Sequence, residues 1–283
     1  MPENGSPEGT AAADADGPDR LPPEINVAVA HPARVYDYLL GGKDNFAADR
    51  VLGDALAVAM PSAREMVRAN RAFLGRAVRY LATEAGVRQF LDVGTGIPTA
   101  GNTHEVAQAV APESRIVYVD NDPIVLAHAR ALMDSDPAGA TAFIQADLQA
   151  PDKILSDPAL RRTLDLGEPV ALMLIAILMC IRDDEDPWGL VSTLMDALPP
   201  GSYLAVTHPT ADFSPGEVAG AVAATEQGGV SFTPRSQAEV AAFFDGLDLV
   251  DPGVVPIQAW HLDGVPPGAI QAAYYYGAVG RKP

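Results

Sequence analysis

The stretch QFLDVGTGIPTAG, residues 89–101, decides the fold that the sequence predicts. It begins with an apolar strand, passes through an acid, two glycines and a threonine-rich bend, and resumes helical spacing at Glu105. A strand, a glycine turn and a helix in this order present a helix N-terminus and bare backbone N–H groups to a nucleotide-like ligand. Gly94 and Gly96 suit such a turn because glycine accepts a left-handed φ. A glycine turn can also be a turn alone, so the motif needs support from the rest of the chain.

The composition describes an acidic protein that can bury a large core. The 283 residues carry a formal net charge of −18, and 48% of them are hydrophobic. This length suits one large α/β domain with an N-terminal appendage. A general nucleic-acid binder needs a basic face, so the charge argues against that class of protein.

The single cysteine, Cys180, excludes an internal disulfide and a CxxC-type zinc site, and we expect no metal. Its apolar surroundings in the sequence favour a buried, inert thiol. The first twenty residues lack the apolar segment of a signal peptide, and the longest apolar run, 170–181, is too short to span a bilayer. We therefore expect a cytoplasmic protein that does not enter membranes.

Three regions follow from the composition along the chain. Residues 1–24 are rich in Pro, Gly, Ala and acids and are expected to form a disordered leader. Residues 25–86 are predicted to form an N-terminal helical cap, and residues 87–283 the main domain. Within the cap, a short helix after Pro32 should end at Gly41-Gly42. The segment 31–50 is compatible with a functional lid and with a packed cap; the candidate lid or substrate residues are Tyr36, Tyr38, Lys43, Asn45, Phe46 and, from the next helix, Arg71.

Apolar spacing predicts alternating helices and strands through most of the chain. Predicted helices cover 49–59, 62–84, 103–110, 123–133, 153–164, 188–198 and 236–244. Predicted strands cover 115–120, 141–146, 170–177 and 203–207, in addition to the strand that opens the glycine turn. This alternation implies right-handed crossovers and a parallel sheet. The two last predicted strands, 247–255 and 270–279, follow each other without a helix and suggest a terminal antiparallel hairpin.

Acids at three successive strand ends narrow the choice of ligand. The third glycine of a dinucleotide motif is missing, and Asp92, Asp120 and Asp147 instead lie along the carboxyl edge of the sheet. Asp120 is placed to bind two ribose hydroxyls, Asp147 an adenine amino group and Asp92 an ammonium. Each acid alone is equally compatible with a turn, but the ordered set favours a ligand with an adenosine, an ammonium and no phosphate.

The sequence resembles a known family at these same motifs. QFLDVGTGIPTAGNTHEVAQ, YVDNDPIVLAHARAL and QADL resemble the class I S-adenosylmethionine-dependent methyltransferases. ARVYDYLLGGKDNFAADR, ANRAFLGRAVRYL, PGSYLAVTHP and DPGVVPIQAW resemble one branch, the S-adenosyl methyltransferase family, formerly catalogued as a domain of unknown function. The resemblance covers residues 26–282. It implies an α/β fold with a Rossmann-like, seven-stranded, mostly parallel sheet whose last strand is antiparallel, and S-adenosylmethionine (SAM) as cofactor.

The resemblance also implies residues that contact SAM. These are Asp92, Gly94 and Gly96 for the methionine part, Asp120 and Asn121 for the ribose, Asp147 and Leu148 for the adenine, and Ala176 and Ile177 beside the cofactor. The sequence departs from the family after the fourth strand. Where relatives carry a histidine, as in LHF, this chain has Leu178-Met179-Cys180. The departure leaves open whether this chain is active.

The sequence therefore predicts a methyltransferase that acts on a small molecule. A base is needed only when the acceptor loses a proton, and His104 and His208 are the candidates, with His31 and Tyr36 as further ones. Two alternatives stay open. A non-catalytic SAM-binding protein is favoured by the departure at Met179, and a nicotinamide-dependent oxidoreductase is disfavoured by the missing third glycine.

Overall fold

The computed structural model describes residues 26–132, 135–261 and 274–283. The leader predicted over 1–24 lies outside these residues, as does the first part of the strand predicted over 270–279.

Helices and strands alternate as the apolar spacing predicts. The helices are α1 (Pro32–Leu40), α2 (Ala47–Ala59), α3 (Ala63–Thr83), α4 (Thr103–Val110), α5 (Pro123–Leu132), α6 (Pro151–Ser156), α7 (Pro158–Thr163), α8 (Pro187–Asp196), α9 (Pro215–Gln227) and α10 (Gln237–Ala241). The strands are β1 (Gln89–Val93), β2 (Arg115–Asp120), β3 (Ala140–Gln145), β4 (Ala171–Ile175), β5 (Tyr203–Pro209), β6 (Asp248–Leu249), β7 (Val255–Pro256) and β8 (Tyr275–Arg281).

The described strands form one sheet in the order β3-β2-β1-β4-β5-β8-β6, and β7 also pairs with β8. Strands β1 to β5 are parallel, whereas β8 runs antiparallel to β5. The predicted α/β fold, with a mostly parallel sheet and an antiparallel last strand, is confirmed. Because β1 to β4 point the same way, their carboxyl ends, and the acids that follow them, meet at one edge of the sheet.

Both faces of the sheet are buried, which explains the continuous apolar runs of its strands. Alternate residues of β1 illustrate the arrangement, since Phe90 packs with α3 on one face and Leu91 packs with the core of the other face. Three helices, α1 to α3, lie on the first face near the carboxyl edge. Helix α1 begins at Pro32 after His31 and ends at Gly41, whose φ of 88° stops the helix as predicted.

Two local predictions were wrong for reasons of backbone chemistry, and one helix was missed. The helix predicted over 153–164 is two helices, because Pro158 opens α7 and the Asp157 side chain accepts a hydrogen bond from Ala159 N. The strand predicted over 247–255 is two short strands, β6 and β7, separated at Pro252-Gly253, where Gly253 has a φ of 81°. The described sheet therefore has eight strands instead of seven. Helix α9 was not predicted, since its alanine-rich sequence has a weak apolar stripe.

No helix among residues 26–132, 135–261 and 274–283 combines the length and the apolar character needed to cross a membrane.

Candidate active site

A cavity of about 390 Å³ lies at the carboxyl ends of β1 to β4. The glycine turn after β1 and the ends of the next three strands form its floor. The start of α1, one face of α3 and residues 229–231 close it from above. Its volume is in the range of sites that hold a cofactor-sized molecule.

The glycine turn requires glycine at both predicted positions. Gly94 and Gly96 have φ values of 76° and 67°. A Cβ on Gly94 would overlap the side chain of Ile177, whereas a Cβ on Gly96 would meet nothing within 4 Å. Gly94 therefore needs both its φ and its missing side chain, and Gly96 needs its φ alone.

Asp120 joins the turn to the end of β2. Its Oδ2 accepts a hydrogen bond from Gly96 N at 2.8 Å, and its Oδ1 accepts one from Asp122 N at 2.9 Å. Burial raises the pKa of this carboxyl, which is 6% exposed. A carboxylate has about four acceptor positions, so Asp120 keeps capacity for two further donors from a ligand.

Asp92, near the end of β1, is also buried. Its Oδ2 accepts a hydrogen bond from Thr103 Oγ1 at 2.6 Å, which fixes the carboxyl against the start of α4. Burial raises the pKa of Asp92 to about 6. A group with this pKa, on the wall of a cavity, is a common feature of functional sites.

Asp147 and its neighbours form the far end of the cavity. Asp147 Oδ2 accepts a hydrogen bond from Asn121 Nδ2 at 2.9 Å, so the ends of β2 and β3 are tied together there. Leu148 is buried and lines the same end. The result is a flat polar and apolar corner that suits a purine ring.

The segment after β4 supplies the opposite wall. Ala176 has a φ of 56°, an uncommon value for a residue with a side chain, and its N–H donates to Thr207 O at 3.2 Å. Strained residues of this kind occur often at functional sites. Ile177, Met179 and Cys180 follow on the cavity wall. Burial raises the pKa of Cys180 to about 12, so its thiol stays neutral and is no nucleophile.

Three side chains of the helical cap reach the cavity from α1 and α3. Tyr36 Oη donates to Val67 O at 3.0 Å and accepts from Asn70 Nδ2 at 2.9 Å. Asn70 is 1% exposed, and its Oδ1 has no hydrogen-bond partner within the described part of the chain. Arg71 donates through Nη2 alone to oxygens of 100–102, so its other nitrogens are available to a ligand.

His31 is the imidazole on the cavity wall. Its Nδ1 lies 3.2 Å from Asp122 Oδ2, and its side chain is 28% exposed. The same Nδ1 accepts a hydrogen bond from Ala33 N at 3.4 Å, so the imidazole also caps the start of α1.

The two histidines first proposed as bases are placed elsewhere. His104 is buried, its Nδ1 lies 2.8 Å from Tyr118 Oη, and burial lowers its pKa. His208 is fully buried; its Nδ1–H donates to Pro209 O, and its Nε2 lies 2.7 Å from Arg235 Nη1. Burial lowers the pKa of His208 to about 3. Neither ring is among the described residues that line the cavity, and both bond to groups within the protein.

Four of the six candidate lid residues also lie away from the cavity. Tyr38 donates to Asp54 Oδ1, Asn45 donates to Asp37 Oδ2, and Phe46 lies against the guanidinium of Arg34. These contacts, together with the position of Lys43 outside the cavity wall, make them parts of a packed cap. Only Tyr36 and Arg71 of the six are among the described residues of the wall.

Sequence reasoning missed the segment 229–231, which forms part of the roof. Two sequence signals mark the ends of α9: Ser214-Pro215 at its start and Gly228-Gly229 after its end. Read together they predict the helix and place the next residues back at the sheet edge. The sequence shows Asn70 next to Arg71. It does not show that Asn70 Oδ1 lacks a hydrogen-bond partner, because that follows from tertiary contacts.

The residues present fit SAM better than a dinucleotide. The acids Asp92 and Asp120, with spare acceptor capacity, match ammonium and hydroxyl groups, and the polar and apolar corner at Asp147 matches an adenine. Arg71 is the one guanidinium on the described wall, and no lysine joins it. A pyrophosphate would find no cluster of cations there.

Comparisons with known proteins agree with this fit. The family model described as S-adenosyl methyltransferase matches residues 18–283. No curated protein matches. A DUF574 family protein from Streptomyces avermitilis is 49% identical, with 91% of this chain and 99% of that chain covered and a TM-score of 0.88.

Two further solved structures are similar. A candidate methyltransferase from Thermobifida fusca is 41% identical, with 92% and 98% of the two chains covered and a TM-score of 0.84. A SAM-dependent methyltransferase from Anabaena variabilis, at 13% identity, shares the fold over 74% and 84% of the two chains with a TM-score of 0.50. The chain therefore belongs to the S-adenosyl methyltransferase family and is a methyltransferase that depends on SAM.

Proposed function

We propose that the cavity at the carboxyl edge binds SAM together with a small organic molecule that receives its methyl group. The observation that carries this proposal is the meeting of the glycine turn, three strand-end acids and the polar cap residues on one cavity wall. The same chain regions are far apart in sequence, and the fold brings them together around a space of suitable volume.

Each part of the wall has a proposed role. The glycine turn and Asp92 hold the methionine part of SAM, with Asp92 facing the ammonium and Arg71 the carboxylate. Asp120 binds the ribose hydroxyls with its two spare acceptor positions. Asn121 lies beside Asp120 at the ribose, Asp147 and Leu148 hold the adenine, and Ala176 and Ile177 lie along the side of the cofactor.

SAM supplies a methyl group on a sulfonium, which is already electrophilic. A lone pair on the acceptor forms the new bond to carbon, the S–C bond breaks with its electron pair passing to sulfur, and an acceptor proton leaves. The main task of the protein is to hold the two molecules in line. We propose His31 as the proton acceptor where one is needed, because its ring lines the cavity and its side chain is 28% exposed. Met179 lies on the wall at the position where the family resemblance implies a histidine, and a thioether takes up no proton.

The domain division and the location are part of this proposal. Residues 25–86 form the cap that closes the cavity, as the contacts of Tyr36 and Arg71 indicate, and residues 87–283 form the catalytic domain. A leader over 1–24 precedes them. The single, unpaired Cys180 suits the reducing cytoplasm.

Calorimetric titration of the protein with SAM tests the proposal. We expect micromolar affinity for the wild type and a loss of about 100-fold in Asp120→Ala, which corresponds to about 2.7 kcal/mol. Asp165→Ala is the matched control, because Asp165 accepts a backbone hydrogen bond from Gly167 N at the opposite edge of the sheet. Absence of SAM binding by the wild type, or equal binding by Asp120→Ala, would overturn the proposed site.

A further inference from the structure

A second, smaller space adjoins the cofactor cavity. This side chamber has a volume of about 70 Å³ and lies between α1, α2, α3, α9 and residues 230–232. Its wall includes Leu52, Leu56 and Ala63, and no residue with a charged side chain is among the described residues that line it. The hydroxyls of Tyr36 and Thr225 on its wall already bond to backbone oxygens. The chamber therefore offers apolar surface to any occupant.

The side chamber and the cofactor cavity are adjacent and share part of their walls. Six residues line both spaces: Pro32, Tyr36, Met179, Cys180, Val230 and Ser231. A molecule in the cofactor cavity can therefore extend an apolar group between these residues without crossing another layer of the fold.

A chamber of this kind is unusual in a well-packed core, where voids larger than a water molecule are few. Atoms that line a void lose the dispersion contacts that a neighbour would supply. Three methionines, Met60, Met66 and Met179, lie on its wall, and flexible thioethers adapt to guests of different shapes. An apolar cavity of about 150 Å³ holds a benzene ring. A chamber about half that size suits a short branched alkyl group.

One residue of the cofactor cavity wall, Asn70, carries a buried polar atom without a hydrogen-bond partner among the described residues. Asn70 lines the cofactor cavity, and its Nδ2 bonds to the hydroxyl of Tyr36, which lines both spaces. Its buried Oδ1 accepts no hydrogen bond from the described residues. Leaving a buried acceptor unpaired is costly, so this oxygen is suited to a donor that arrives with a ligand.

We propose, on the basis of the proposed function, that the side chamber binds the apolar part of the methyl acceptor and that Asn70 Oδ1 accepts a hydrogen bond from its N–H or O–H group. The acceptor is then a compact amine or alcohol with a short branched alkyl group beside the atom that receives the methyl. Its polar atom lies in the cofactor cavity, and its alkyl group lies among the methionines.

Isobutanol is a suitable probe, because it joins a short branched alkyl group to one hydroxyl. Its binding to the protein saturated with S-adenosylhomocysteine can be followed by an NMR titration. We expect saturable binding with a Kd on the order of 1–10 mM, as five heavy atoms allow. Propane-1,2-diol, of similar size but polar, should bind at least tenfold more weakly. No saturable binding of isobutanol to this complex would overturn the proposal.

A substitution that fills the chamber tests whether isobutanol binds there. Ala63→Leu places a larger side chain into the chamber. The affinity for isobutanol should fall at least tenfold, while the affinity for S-adenosylhomocysteine stays within twofold. Ala69→Leu, in the same helix but outside both walls, is the matched control and should change neither. Leu56→Phe fills the chamber from α2 and replaces Ala63→Leu if that variant does not fold. Unchanged isobutanol binding in the folded filling variant would overturn the assignment of the chamber.

Isobutyronitrile tests the role of Asn70, because it keeps the branched alkyl group and has no donor. The wild type should prefer isobutanol over the nitrile at least fivefold, and Asn70→Ala should remove that preference. Equal affinity for the two probes in the wild type would overturn the role of Asn70. Loss of S-adenosylhomocysteine binding by the wild type would instead refute the proposed function, so the two failures are distinguishable.

Discussion

The carboxyl edge of the sheet has an open half and a closed half. The open half, at the ends of β1 to β3, carries Asp92, Asp120 and Asp147 and faces the cofactor cavity. The closed half, at the end of β5, carries His208 and is covered by Arg235. Both halves place polar side chains at the ends of buried strands, yet of the side chains just named only the acids of the open half line the cavity.

In the closed half, His208 and Arg235 bond to each other and to further groups of the protein. Arg235 is 2% exposed and donates to Leu178 O, Ile181 O and Asp183 Oδ1, in addition to its contact with His208. Its guanidinium also stacks on the rings of Trp188 and Phe243. This cluster braces the segment 178–183 that forms a wall of the cavity.

In the open half, Asp120, Arg71 and Asn70 Oδ1 can each form further hydrogen bonds. A polar residue at a strand end is thus a candidate ligand contact when it lines a cavity and its bonds within the chain are incomplete. A fully bonded residue at the equivalent place is structural.

The largest expected effect lies in the closed half. Arg235→Met removes the donor to two buried carbonyls and to His208, so the free energy of unfolding should fall by about 3–5 kcal/mol. Arg182→Met, which alters an exposed arginine with surface partners, is the control and should not change stability measurably. Urea denaturation measures both. A loss below 1 kcal/mol in Arg235→Met would show that the closed half is not a brace.

The glycine turn of the open half gives the next effect. Gly94→Ala combines a left-handed φ with an overlap on Ile177, and it should lower the free energy of unfolding by about 2–4 kcal/mol. Gly75→Ala is the matched control, because a Cβ at this helical position meets nothing within 4 Å and should stabilise the protein by about 0.5–1 kcal/mol. Thermal unfolding measures the Tm of both variants. A shift of the two Tm values in the same direction would contradict the reasoning.

Arg71 separates ligand contacts from structural ones. Arg71→Met should weaken the binding of S-adenosylhomocysteine by about 1.5–2 kcal/mol, because the guanidinium proposed to face the amino-acid carboxylate is lost. The affinity for 5′-methylthioadenosine, which lacks the amino-acid part, should stay unchanged. Arg68→Met, at an exposed position of the same helix, should affect neither ligand. Equal losses for both ligands in calorimetry would place Arg71 away from the carboxylate.

The smallest expected effect is a pH dependence of cofactor binding. The pKa of Asp92 is about 6, above its ordinary value, with Thr103, Arg71 and Asp120 as its polar and charged neighbours. An ammonium is bound by the carboxylate form, so affinity for SAM should fall about tenfold between pH 7 and pH 5. The raised pKa has the opposite effect on the free protein. The contribution of protonated Asp92 to the free energy of unfolding is lost as the pH rises through 6. Asp92→Asn should bind weakly at both pH values, and a preserved pH dependence in that variant would assign the effect elsewhere.

Much of the open half was predictable from the sequence because its signals are local. The glycine turn, the acids after β1 to β3 and the start of α4 each depend on neighbours within a few residues. The bases were not predictable in the same way. His104 and His208 follow the turn and a strand as site residues do, but the partners that occupy them, Tyr118 and Arg235, come from other parts of the chain.

The sequence by itself determined the order of strands and helices, the glycine turn and the edge at which the acids gather, because hydrophobic period and turn chemistry act over short distances. Only the tertiary structure decided which polar groups remain available. Arg235 reaches His208 across 27 positions and satisfies it, while Asn70 reaches Tyr36 across 34 positions and keeps one oxygen free. Those pairings depend on packing between distant segments, and packing determines which polar residues at the edge of the sheet can bind a ligand.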